Sequence, residues 1–268
     1  MPNVVSGGVE IDYEVLNPDA GGIPVFFISG LSGLRASWKN QTAAFLGRGT
    51  VVLHDHRGTG KSGKPLGVYT VPNMAGDMIA IMDDIGVEKG HFVGSSTGGA
   101  IIQALCIDHP DRVQSAAVCS SWAKADHFFE RQFTMRKKVL VELGIEAYTK
   151  LSSISLHSPK SFNENYESIA INEDERIRSA PSIEVAAERI DCILAHDQLN
   201  RLGRIQVPVL VAVARDDHCT PLYLSEQLAA AIPGAELKIF QEGGHFFYLS
   251  RAAEFNDMIL GFIGRHEA

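Results

Sequence analysis

Long apolar runs are missing from this chain. No stretch approaches the roughly 18 residues that a membrane span needs, which argues against a membrane-embedded protein. The opening residues, MPNVVSGGVEIDYEV, lack a basic region followed by a greasy one, so no secretory signal is read there. Positive charge is scarce as well: 24 Lys and Arg stand against 32 Asp and Glu, a formal charge of -8. A non-specific nucleic-acid binder needs a basic face, and this balance argues against one. Cysteine is sparse and shows no CxxC spacing. Cys106, Cys119, Cys192 and Cys219 therefore read as free thiols in a reducing compartment, not as disulfides or zinc ligands, and the cytoplasm is the expected location. Internal repeats and low-complexity tracts are absent too.

What is present is an ordinary globular composition, 45% hydrophobic and 21% charged over 268 residues, enough for one large domain or two small ones. Short β-rich apolar runs recur at IPVFFIS (23–29), TVVLHD (50–55), GHFVGS (90–95), VQSAAVCS (113–120), VPVLVAVAR (207–215) and AELKIFQ (235–241). Several are apolar continuously, not alternately, as strands are when both sheet faces are covered. A hairpin around Gly7–Gly8 is expected to add edge strands. Helical patterns lie between the runs, at 71–85, 97–109 and 249–265. The alternation predicts an α/β fold built on a mostly parallel sheet with right-handed crossovers.

One block breaks the rhythm. From Trp122 to Gly203 no strand is evident, and amphipathic stretches such as FFERQFTMRKKVLVEL (128–143) and SIEVAAERIDCILAHD (182–197) take over. So long an excursion at one sheet edge reads as a helical cap. The expected organisation is core at 1–121, cap at 122–203 and core again at 204–268.

Gly94-Ser95-Ser96-Thr97-Gly98 fits G-x-S-x-G with Ser96 at its centre; Ser95 does not fit, because Val93 and Thr97 flank it at the glycine positions. The pattern alone is weak. Its setting, after the run HFV and before the helical AIIQALCIDHP, is the strand–turn–helix arrangement that exposes a nucleophilic hydroxyl above a sheet. The glycines leave room for the sharp turn, and the helix that follows aims its N-terminal amides at the same spot. A serine needs a base to take its proton. His245, in the Gly-rich QEGGHFFYLS, follows the last strand run. An acid should precede it in sequence, and VAVARDDHCTP offers Asp216 and Asp217.

The order Ser96, acid, His245, with the helical block before the acid, resembles the α/β-hydrolase fold family. ISGLSG (28–33) and DHRGTGKS (55–62) are further matches, and the resemblance covers nearly the whole chain. It implies Asp217 as the acid, since an aspartate four residues before a proline recurs in the family. It also implies an oxyanion hole built from the amides of Thr97 and Leu31. Ser29 stands where the family commonly has histidine, which leaves the local hydrogen bonding open but not the amide. Within the family, ISGLSGLRASW, ARDDHCTP and SSWAKADHFFERQF are most similar to aminoacrylate hydrolases of the pyrimidine-degradation (Rut) pathway, then to 3-oxoadipate enol-lactonases. That likeness implies a cofactor-independent serine hydrolase acting on a small, acid-bearing ester, lactone, amide or carbamate. Some members use the same residues for lyase or cofactor-free oxygenase chemistry, or serve as small-molecule receptors.

The remaining motifs have plainer readings. DHRGTGKS ends like a phosphate-binding loop, but Asp55 occupies the first glycine position and would repel phosphate, so Arg57 is expected to brace neighbouring loops. His54 and His56 lack a further ligand cluster and read as structural, and no metal or other cofactor is expected. Phe128, Phe129, Phe133 and Met135 read as packing within the cap. Trp122, His127 and Arg131 lie where the cap should begin over the pocket and are the expected substrate contacts, Arg131 by a bidentate grip on a carboxylate. The expected partner is a small-molecule substrate, not nucleic acid or membrane, and a homodimer is left open.

Overall fold

Each of the six apolar runs becomes a strand of one eight-stranded sheet in the computed structural model, which describes residues 2–267. The strands are β1 (Asn3–Ser6), β2 (Val9–Leu16), β3 (Val25–Ile28), β4 (Val51–His54), β5 (Gly90–Ser95), β6 (Val113–Cys119), β7 (Val209–Ala214) and β8 (Glu236–Phe240). Their spatial order is β1-β2-β4-β3-β5-β6-β7-β8. The first two form the expected hairpin, turned by Gly7 and Gly8 at positive φ, and pair antiparallel with each other and with β4. From β4 to β8 all pairs are parallel. Every residue of β3, β5 and β7 is buried, which is why these runs are apolar throughout.

Helices cover both faces. On one, α1 (Lys39–Phe45), α9 (Phe247–Ser250) and α10 (Ala252–Gly264) pack Phe45, Phe247, Phe255 and Phe262 against the sheet, joined by Trp38 from the 3-10 turn before α1. On the other, α2 (Val71–Asp84), α3 (Thr97–Asp108) and α8 (Leu222–Ala231) contribute Met74, Met78, Ile81, Ile101, Leu105, Leu224 and Leu228. The start of α2 is set by Thr70, whose hydroxyl accepts from the Asn73 amide, with Pro72 in the first turn, a favoured helix opening. The chain leaves β3 for β4 on one side and later returns to place β5 on the other. The loops after β3 and β5 therefore diverge, and such a switch point is where open α/β sheets form a crevice.

Arg57 does brace the loops around it. Its guanidinium is almost fully buried and binds Asp77 of α2 through Nε at 2.8 Å and Nη2 at 2.6 Å. It also donates to the carbonyls of Ser6, Val68 and Asn73. Removing one member of a buried pair strands the other charge. Asp77→Ala is therefore expected to cost about 3–5 kcal/mol of stability, read as a lower midpoint in urea unfolding. A midpoint equal to that of the unmodified chain would show that Arg57 has another counter-charge.

Between β6 and β7 stand α4 (His127–Leu156), α5 (Pro159–Glu164), α6 (Tyr166–Arg178) and α7 (Ile183–Leu194). A single antiparallel bridge between Lys124 and Asp197 joins the two ends of this block. Asp126 caps α4 by accepting from the Phe129 amide at 2.8 Å. The helix is broken into two arms at Gly144, whose φ of 83° and ψ of -178° are non-helical. Phe129, Phe133, Arg136 and Leu140 form the buried stripe of the first arm. Phe128 and Met135, expected to pack, are about half exposed instead, because the buried stripe runs through 129, 133, 136 and 140 and leaves both on the outer side. Among the described residues all four cysteines are free and buried, and no helix is long and apolar enough to cross a membrane.

Candidate active site

The turn from β5 into α3 carries the serine. Ser96 sits at φ 57° and ψ -117°, a conformation that L-residues rarely adopt and that persists only when its surroundings enforce it. Those surroundings are on both sides. Its amide donates to the Cys119 carbonyl at 2.8 Å, and its carbonyl accepts from the Ser121 hydroxyl at 2.9 Å. The turn is possible only because two glycines let the backbones meet. A Cβ on Gly94 would lie 2.6 Å from the Gly98 carbonyl carbon, and one on Gly98 would lie 2.1 Å from the Ile28 oxygen.

The loop after β3 approaches from the far side of the crevice. A Cβ on Gly30 would stand 3.2 Å from that of Ser96, so Gly30 lies against the serine. Ser29, in the position where histidine was the common expectation, closes the loop by donating its hydroxyl to the Leu34 carbonyl at 2.8 Å. Thr97 is the first residue of α3 and buried, which leaves its amide among those without an intrahelical partner.

Asp217 and His245 meet across the ends of β7 and β8. The imidazole Nδ1 lies 2.9 Å from Asp217 Oδ2 and 3.2 Å from Oδ1. The carboxylate also accepts from the Cys219 amide at 2.8 Å, the Thr220 amide at 2.9 Å and the Thr220 hydroxyl at 2.9 Å. Burial pushes the Asp217 carboxyl up, but the adjoining imidazole and the Thr220 amide outweigh it and hold the group below the usual carboxylate range. Asp216, the other aspartate of the pair, instead accepts from the Gly244 amide at 2.9 Å and so braces the histidine loop. The Ser96 hydroxyl forms no hydrogen bond with His245 in the structure, a contact that often tightens only when substrate is in place.

Of the residues expected from the helical block, His127 and Arg131 are exposed and Trp122 is buried. His127 is fully exposed and lies 3.8 Å from Glu130, and Arg131 is exposed on the same stripe of α4. Trp122 is buried and packs on Phe129 at 4.5 Å and edge-on to His196 at 5.7 Å. Two other arginines of the block turn inward. Arg189 of α7 donates to the carbonyls of Leu31 and Arg57, so it ties the loop after β3 to the loop after β4. Arg136 packs over the Phe133 ring and reaches Cys219. No sequence signal marks them, but their places on the buried stripes of α4 and α7 follow once the helical phase is known. His54 and His56 stack at 4.9 Å in the buried wall behind the loop, and burial drives His54 down to about 3. His218 is exposed.

The fold agrees with what known proteins share with this chain. A family model described as the alpha/beta hydrolase fold matches residues 23–252, and the chain belongs to that family. Over 264 residues it is 36% identical to a protein of Azorhizobium caulinodans provisionally named carbamate hydrolase RutD, covering 98% of both chains. A protein of the same provisional name from Caulobacter segnis is 37% identical over 256 residues, covering 94% of this chain and 96% of that one. The resemblance to the Rut group is therefore borne out. Among solved structures, the enol-lactonase of Burkholderia xenovorans LB400 superposes with a TM-score of 0.91 at 24% identity, covering 98% of this chain and all of that one. Est816, an N-acyl homoserine lactone degrading enzyme, gives 0.86 at 30% identity and covers 97% of this chain and 100% of its own.

Proposed function

We propose that this chain is a cofactor-independent serine hydrolase that opens an ester, lactone, amide or carbamate bond of a small metabolite through a covalent acyl-enzyme. The observation that carries the reading is the strained backbone of Ser96, held at the crevice opposite the Gly30–Leu31 loop, in a chain whose histidine and aspartate are already hydrogen-bonded. Strain of this kind at a polar side chain fits a hydroxyl presented for attack.

In the proposed cycle, His245 Nε2 removes the Ser96 proton as Oγ adds to the carbonyl carbon. Asp217 holds Nδ1–H, which fixes the tautomer and stabilises the imidazolium that forms. The amides of Thr97 and Leu31 donate to the oxyanion. His245 then protonates the leaving oxygen or nitrogen, the C–O or C–N bond breaks, and water, activated by the same imidazole, releases the acyl group and restores the serine. The carbamate name of the Rut relatives and the lactone chemistry of Est816 both belong to this reaction class, which supports it without choosing between the bonds.

A fluorophosphonate probe tests the reading directly. One adduct per chain, located on Ser96 by peptide mass spectrometry and absent from Ser96→Ala, is the expected result. A folded protein that takes no label, or equal turnover of esters, lactones, amides and carbamates by both forms, would overturn it. Oxygen consumption without an acyl adduct would point to the oxygenase use of the same residues instead.

A further inference from the structure

The loop after β3 is pinned at several points, and one of the pins comes from the helical block. Residues 30–33 form a tight turn, closed by the Gly33 amide donating to the Gly30 carbonyl at 2.9 Å. The ends of the turn are fixed from within the core. The Leu34 carbonyl accepts from the Ser29 hydroxyl at 2.8 Å. The Gly33 carbonyl accepts from the His56 amide at 2.8 Å and the Thr59 hydroxyl at 3.1 Å. The Leu31 carbonyl, at the tip, is held differently. Its donor is Arg189 Nη2 at 2.8 Å, reaching across from the middle of α7.

Arg189 is 2% exposed and stands with Val185, Ile190 and Ile193 on the buried side of α7, a helix that Ser182 caps through the Val185 amide. Nη1 donates to the Arg57 carbonyl, and Nη2 also lies 3.4 Å from His56 Nδ1. These acceptors are all neutral: two carbonyls and an imidazole whose pKa burial drives well below its ordinary value. Burial brings the guanidinium itself down to about 10, so it stays charged at neutral pH and its bonds to the carbonyls are charge-assisted. The seat is close-fitting, since a Cβ on Gly33 would lie 2.9 Å from Nη2. Turns of types I and II differ in the orientation of their central peptide. A turn with fixed ends therefore keeps that freedom unless its central carbonyl, here that of Leu31, is held.

Resting on the hydrolase reading above, we propose that Arg189 is a positioning residue: it clamps the Leu31 backbone so that the Leu31 amide stays aimed at the oxyanion, and the oxyanion hole thus depends on the helical block. Amide and carbonyl belong to one residue, so a clamp on the carbonyl limits how far the N–H can turn. Gly30, the neighbour of Leu31, lies against Ser96, so the turn held by Arg189 is the one that faces the serine.

Phenyl acetate as substrate and trifluoroacetophenone as inhibitor test this. Ser96 Oγ would add to the ketone carbon, its proton passing to His245, and leave a negative oxygen that needs the same donors. In Arg189→Met kcat should fall about 100-fold with KM little changed, and the inhibition constant of the ketone should rise by a similar factor. Arg189→Lys, which keeps a charged donor, should recover part of both. Glu188→Ala removes a different tie of α7, the one to the Gly67 amide, and should leave kcat unchanged. Hydrogen exchange read by mass spectrometry should quicken at residues 29–34 in Arg189→Met and stay as it was in β3 and β5. Circular dichroism and the urea midpoint check folding; if Arg189→Met does not fold, Arg189→Lys carries the comparison, with a smaller loss of kcat at the same KM. An unchanged kcat, a change confined to KM, or an equal loss in Glu188→Ala would overturn the proposal and make Arg189 a packing residue. If the unmodified chain neither cleaves the ester nor binds the ketone, the hydrolase reading fails for this substrate, and exchange still decides. Faster exchange at 29–34 alone supports the clamp, and no change there overturns it.

Discussion

Ser96→Ala should lower kcat by about 10⁵–10⁶-fold on any ester or lactone the chain cleaves, with the circular dichroism spectrum and the urea midpoint little changed. The expectation follows from how the residue is held. The bonds that fix its turn are made by the backbone, to the Cys119 carbonyl and the Ser121 hydroxyl, and alanine keeps both. The lost atom is the one proposed to form the covalent bond. Groups that act as a unit fail together, so Ser96→Ala/His245→Ala should be little worse than Ser96→Ala. If the two losses multiplied, serine and histidine would be acting independently and the acyl-enzyme scheme would fall.

A large effect on stability is expected two residues further on. Gly98→Ala places a methyl 2.1 Å from the Ile28 carbonyl oxygen and 2.8 Å from that of Ser29. Both are backbone atoms at the end of a buried strand, so neither can swing aside as a side chain would. Relief requires α3 to lift from β3, and the cost should be about 3 kcal/mol or more, read from urea unfolding. The same shift carries the serine away from the Gly30–Leu31 loop, so kcat should fall even where folded protein is recovered. Gly76→Ala on α2 is the matched control, because a Cβ there meets nothing within 4 Å. Alanine in a helix interior should stabilise by about 0.5–1 kcal/mol. Equal behaviour of the two variants would mean that the close approach at Gly98 is not maintained in solution.

The sheet was readable because covered parallel strands have to be apolar along their whole length: GHFVGS at 90–95 is β5 residue for residue. Two helices escaped for opposite reasons. In α1, KNQTAAF offers one apolar turn amid polar residues, and α8 hides behind Pro221, which reads as the end of a loop. The elbow was readable because its glycines answer a steric need that no other residue meets. The Asp217–His245 contact was readable only through family order, since nothing in ARDDHCTP says which aspartate turns inward. On α4 the helix was legible and its phase was not. His127 and Arg131 share one face and Phe129, Phe133 and Arg136 another, and the choice between them rests on how the arms fold back at Gly144. An arginine read in isolation is a solvated one; burial of Arg136 and Arg189 depends on contacts made by distant loops.

The way α4 is attached also constrains how this scaffold can be altered. Its first arm holds the loop of the acid through Gln132, and its far end holds the loop of the histidine through Leu156. A block joined to both loops is part of the frame that aims the imidazole. Exchanging it for the corresponding block of another hydrolase to obtain a new specificity would therefore also reset the pose of His245, the proposed base. Grafts that keep residues 132 and 156 in place should retain turnover better than grafts that replace the whole segment.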